Sequence, residues 1–130
     1  MSRSADEKAA LVVRTAGLTA ALGAFVMIST AVFTITDTMG IHNVIVGAIT
    51  AFVASVQAYR TDEQGSFSIA FPVVLAVLGI WIAIAPRLLF DVQRELVLGI
   101  NGVSGVLIVI LSLAGVYGTV QTSNATATSA

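Results

Sequence analysis

LVLGINGVSGVLIVILSLAGVYGTV, residues 96–120, carries no charged side chain from end to end. Some 20 helical residues, rising about 1.5 Å each, cross a hydrocarbon core of about 30 Å, and this stretch is longer than that. A buried strand would be far shorter. Lipid offers no partner to a bare backbone N–H or C=O, so the segment has to bond within itself, as a helix does. Three similar blocks precede it, at residues 15–35, 41–59 and 67–85. The expected fold class is therefore all-α membrane, with four transmembrane helices.

Composition agrees. Of 130 residues, 57% are hydrophobic and 10% charged, against about 25% charged in a soluble domain. So few charges could not cover a water-facing surface. The formal net charge of −1 provides no field that would gather nucleic acid. No cysteine is present, which excludes disulfides, thiol catalysis and Cys-ligated metals. The length suits one domain: an N-terminal segment over 1–14, a membrane domain over 15–120 and a tail over 121–130. That tail is almost all Thr, Ser, Ala and Asn and is expected to be flexible.

Punctuation between the blocks sets the expected helix ends. Ser4-Ala5-Asp6-Glu7 fits a capping box, which would start the first helix near Ala5. The apolar run that follows is longer than a signal peptide's core and is read as a retained helix. Residues 36–40, ending at Gly40, read as a turn, and 60–66 as a polar loop. Ser66 or Ser68 is the expected N-cap of the third helix, with Pro72 in its first turn and Pro86 at its end. Residues 87–95 are amphipathic, with Leu88, Leu89, Phe90 and Val92 among Arg87, Asp91, Arg94 and Glu95, and suit a short interfacial helix. With four spans, Arg3, Lys8, Arg14 and Arg60 share one side, against Arg87 and Arg94 on the other. The excess predicts both termini in the cytoplasm of a multi-pass cell-membrane protein. On that orientation the glycosylation-like Asn124-Ala125-Thr126 is a chance match.

The chain repeats itself. Leu22-Gly23-Ala24-Phe25 returns as Leu78-Gly79-Ile80-Trp81, and Phe33 corresponds roughly to Phe90. Asn43, Gly47 and Tyr59 return at the same mutual spacing as Asn101, Gly105 and Tyr117. Each unit, about 18–60 and 74–118, is a helical hairpin. Two spans per unit mean that both copies enter from the same side, related by an axis along the membrane normal. The expected architecture is two tandem hairpin repeats packed as a four-helix bundle.

Residues 78–90, with Ala85-Pro86-Arg87 at the helix end, followed by Asn101-Gly102-Val103-Ser104-Gly105, resemble the SPW-repeat family of small membrane proteins, halophilic archaeal and bacterial. In that family Ser-Pro-Trp closes the first helix of each repeat and Asn-x-x-x-Gly opens the second. Here Ala85-Pro86-Arg87 keeps only the proline, and Ser29-Thr30-Ala31 only the serine. The resemblance spans about 18–118. It implies a four-helix membrane fold and no activity.

The candidate site residues each have two readings. Asn43 and Asn101 could line a polar path, or bond across to neighbouring helices; packing is favoured, such bonds being worth about 0.6 kcal/mol on average. Gly47, Ala51 and Ser55, like Gly105 with Ser104, offer small surfaces for close helix approach. Gly17, Ala20, Ala21 and Ala24 offer another, and one of these surfaces could serve a second copy. His42, the only histidine, has no second donor in the sequence beside it and reads as a helix-end residue rather than a metal or haem ligand. Trp81, Tyr59 and Tyr117 read as packing or interface anchors. Ser29, Thr30, Thr50, Ser104 and Ser112 are expected to bond to their own helices. No carboxylate stands inside any block, which argues against a proton- or cation-coupled transporter. Nothing pairs a nucleophile with a base, so catalysis has no support and no cofactor is expected. The expected function is a non-enzymatic structural or accessory subunit among membrane lipids, as a homo-oligomer or within a larger complex. The alternative is a small oligomeric transporter or channel.

Overall fold

The computed structural model describes residues 3–35, 37–64, 68–89 and 94–129. They form four helices: α1 (Arg3–Val32), α2 (Thr38–Gln64), α3 (Ala70–Leu88) and α4 (Glu95–Ser129). All four are long and apolar enough to cross a membrane. No strand occurs among the described residues. The helices pack as a bundle of two hairpins, α1 with α2 and α3 with α4. The hairpins meet broadly through α1 and α4 and only thinly through α2 and α3.

Several helix ends depart from expectation. α1 already includes Arg3, so Ser4 stands inside the helix rather than capping it. α1 ends at Val32 and α2 begins at Thr38, so Gly40 sits within α2. Asp37 supplies the N-cap, its Oδ1 accepting the Met39 N–H at 3.0 Å. A Cβ at position 40 would collide with the Ile35 carbonyl, so glycine serves there to let the turn fold back onto α2. The expected loop at 60–66 is helical through Gln64. Arg60, Thr61, Asp62, Glu63 and Gln64 are tolerable in a helix, and no glycine or proline intervenes before Gly65. α3 begins beyond Ile69, which has no side-chain cap; the Ser68 hydroxyl accepts the Ala70 N–H at 3.3 Å. Ser66 lies outside the described residues. Pro72 stands in the first turn of α3 and Pro86 near its end. Of the expected interfacial segment, 90–93 lie outside the described residues, Phe90 among them, and its ends belong to α3 and α4. The backbone of the expected flexible tail continues α4 to Ser129; after Gly118 no proline or glycine stops it.

At the turn end, Arg94 crosses from the start of α4 to the end of α1. It donates to the Phe33 carbonyl at 2.9 Å and the Thr34 carbonyl at 3.3 Å, satisfying acceptors that a helix C-terminus leaves bare. Thr34 is left-handed, with φ 55°. A β-branched residue there costs about 1–2 kcal/mol. Thr34→Gly should relieve most of this while keeping the carbonyl that Arg94 uses, and raise the thermal midpoint in detergent by a few degrees. A midpoint that falls would show that the turn does not hold this strain.

The bundle buries many polar side chains among its apolar ones and leaves large apolar side chains outside. Thr15, Thr19, Ser29, Thr50, Gln57, Ser104 and Ser112 are buried, while Phe52 is 70% exposed and Val32 64%. Water would punish that arrangement; lipid, as apolar as these side chains, does not. The apolar centre is small, with Val26, Ile82 and Ile108 packed against Leu22 and Val46. The burial pattern carries the repeat. Asn43, Gly47, Thr50, Ala54, Gln57 and Thr61 are the buried stripe of α2 from its second turn onward. At a spacing of 58 residues, Asn101, Gly105, Ile108, Ser112, Gly115 and Thr119 are buried in α4.

Candidate functional site

Each hairpin is held at one glycine crossing. A Cβ on Gly47 would lie 2.6 Å from the Gly23 carbonyl and 2.9 Å from the Met27 nitrogen. One on Gly105 would overlap the Gly79 carbonyl and lie 2.7 Å from the Ala83 nitrogen. The backbones therefore touch at Gly23 against Gly47 and at Gly79 against Gly105, the same repeat positions in both halves. Ala51 also faces this crossing in the first hairpin, its nitrogen 2.8 Å from a Cβ on Gly23, whereas Ser55 is exposed. Gly17 is exposed, and a Cβ there would meet nothing beyond its own helix.

Between the hairpins lies an amide pair. Asn43 Nδ2 donates to Asn101 Oδ1 at 2.9 Å, and Asn101 Nδ2 donates back to Asn43 Oδ1 at 3.0 Å. Both side chains are fully buried. Being equivalent residues of the two repeats, they place this reciprocal bond on the pseudo-two-fold axis. Asn101 Nδ2 also donates to the Ile82 carbonyl at 3.2 Å. In an unbroken helix that carbonyl would accept the N–H four residues on, but the residue there is Pro86, which has none. Asn101 thus supplies, from α4, the donor that proline removes from α3. Residue 30, Pro86's counterpart in the first repeat, is Thr, and Asn43 has no such carbonyl to serve.

The clasp extends to the thin seam. Trp81 Nε1 donates to His42 Nε2 at 2.7 Å, with the two rings tilted by 50°. An accepting Nε2 leaves the imidazole proton on Nδ1, which lies 3.3 Å from Asn43 Oδ1. Trp81, His42, Asn43, Asn101 and the Ile82 carbonyl therefore form one continuous hydrogen-bonded chain across α3, α2, α4 and α3 again. His42 stands one turn into α2, near the expected helix end, but it faces Trp81 rather than only an interface. At the equivalent seam between α1 and α4, Phe25 and Ile100, the counterparts of Trp81 and His42, line a common hollow.

The sequence signals for this chain were a lone histidine, a lone tryptophan and a proline four residues past a buried carbonyl. Only the last points to a partner without knowledge of the packing. The expected hydroxyl bonds are found for Ser29, Thr30, Thr50 and Ser112, which return to the carbonyls of Val26, Met27, Val46 and Ile108. Ser104 is buried beside Gly105. Tyr59 and Tyr117 are exposed; Lys8 donates to the Tyr117 hydroxyl at 3.2 Å and sits 4.6 Å from its ring centre. No cluster of three His, Cys, Asp or Glu side chains suited to a metal occurs among the described residues.

Fold and site define a multi-pass membrane protein of two tandem helical hairpins, each closed by a glycine crossing and joined by a buried amide pair. The chain belongs to the SPW repeat domain family, whose sequence model matches residues 13–115. No curated protein and no solved structure matches it.

Proposed function

We propose that this protein is a non-enzymatic structural or accessory subunit of the cell membrane, with both termini in the cytoplasm, working as a homo-oligomer or within a larger complex. One observation carries the reading: the deepest polar groups, Asn43 and Asn101, are used up on each other and on the Ile82 carbonyl. A transport path would need such groups turned towards a passing solute. The core hydroxyls of Thr19, Ser29, Thr50 and Ser112 likewise return to their own helices.

A transporter or channel is the second reading, favoured by the density of hydroxyls in the core. Proteoliposome flux separates the two. The accessory reading expects the wild type and the Asn43→Leu, Asn101→Leu double variant to leak ions and small solutes no faster than empty liposomes. It also expects the double variant to weaken the association of separately expressed hairpins. A wild-type flux that the double variant abolishes, with helicity intact, would decide for transport.

A further inference from the structure

We propose that the groove between α3 and α4 holds one anionic phospholipid, its phosphate on Arg87 and an acyl chain along α4. This inference goes beyond the accessory role and does not depend on it. A hollow of about 660 Å³ lies between Ala83, Ile84 and Arg87 of α3 and Leu98 and Gly102 of α4. A second hollow shares Leu98 and Gly102 and continues to Val106 and Leu107. From Leu98 to Leu107 the track runs about 13 Å along the helix, close to one leaflet's share, about 15 Å, of the hydrocarbon core. Arg87 is exposed in the last turn of α3, the end at which a spanning helix meets the headgroups. Among the described residues no carboxylate lines the groove.

The first repeat is an internal comparison. Where the second has Gly102, at the same spacing the first has Val44, and the position of Arg87 is taken by Ala31. A Cβ on Gly102 would touch nothing, so no packing demand explains the glycine. The glycine that opens the track and the cation at its end thus occur together in the second repeat and are both replaced in the first. A second copy seated here would have to take Arg87 out of water and supply a carboxylate to it. A lipid brings its phosphate at that depth already.

The test is native mass spectrometry of the full chain in mild detergent, titrated with phosphatidylglycerol and with phosphatidylcholine. The wild type should hold one phosphatidylglycerol about tenfold more tightly than phosphatidylcholine. Arg87→Ala should bring the two lipids level. Gly102→Val, the residue the first repeat already tolerates, should weaken both about tenfold, while Gly17→Val, on an exposed face of α1, should change neither. Circular dichroism checks the helices of each variant. An undiminished preference for phosphatidylglycerol in Arg87→Ala would overturn the proposal. So would a Gly102→Val variant that keeps its lipid but loses a dimer, which would make the face a contact between copies.

Discussion

Gly105→Val should be the most damaging single substitution in the chain, splitting the second hairpin at its crossing. The new side chain would begin inside the contact distance of the Gly79 carbonyl, 2.7 Å from the Ala83 nitrogen and 2.8 Å from its Cβ. Two of those three atoms are backbone and cannot swing aside. The helices would have to part, losing the van der Waals contact that drives association where lipid supplies no hydrophobic force. Overpacking of this kind costs about 1–3 kcal/mol, and more where the neighbours are rigid. Gly47→Val should act likewise in the first hairpin, against the Gly23 carbonyl and the Met27 nitrogen. Gly17→Val is the control, since a Cβ there meets nothing, and removing a helix glycine is mildly favourable. Thermal unfolding in detergent, followed by circular dichroism, reads all three. Equal midpoints for Gly105→Val and Gly17→Val would show that the crossing is not as close as described.

The second large effect is an asymmetry. Asn101→Leu should cost about 3 kcal/mol and Asn43→Leu less, although the two residues occupy equivalent repeat positions. A buried polar group left without a partner costs about 1–3 kcal/mol. Asn101→Leu orphans two: the Asn43 Nδ2 and the Ile82 carbonyl that Pro86 cannot serve. Asn43→Leu removes the partner of Asn101 Oδ1 and the longer, 3.3 Å contact of half-buried His42, but Asn101 keeps its bond to the Ile82 carbonyl. The double variant should lose less than the two singles together, since removing both partners leaves fewer groups unpaired. Pro86→Ala should then rescue Asn101→Leu in part, because a backbone N–H at position 86 can return to the Ile82 carbonyl. Equal losses in the two single variants, or no rescue, would sink the account of Pro86 and Asn101 as a coupled pair.

Much of the architecture was legible in the chain itself. Four uncharged or nearly uncharged blocks dictate four helices, because hydrocarbon leaves the backbone no other partner. The recurrence of Asn, Gly and Tyr at one spacing gives the hairpin repeat, and its Asn and Gly are the residues at the contacts. Helix ends were harder to place. Residues 60–64 are polar enough to leave the membrane yet remain helical, since water and helix are compatible; polarity marks where a span ends, not where a helix does. Gly40 looked like a turn residue, whereas it lies within α2 because the Ile35 carbonyl rests against it.

What the sequence determined by itself is the solvent, the number of spans, the two-fold recurrence and the small residues where backbones can touch. Tertiary structure alone decided that Gly23 meets Gly47 and Gly79 meets Gly105, that the two asparagines clasp each other, and that the lone tryptophan finds the lone histidine. The reason is physical. Solvation and backbone bonding act residue by residue along a chain, while a hydrogen bond between helices depends on their rotation and depth relative to each other. Those are set only when all four helices have packed.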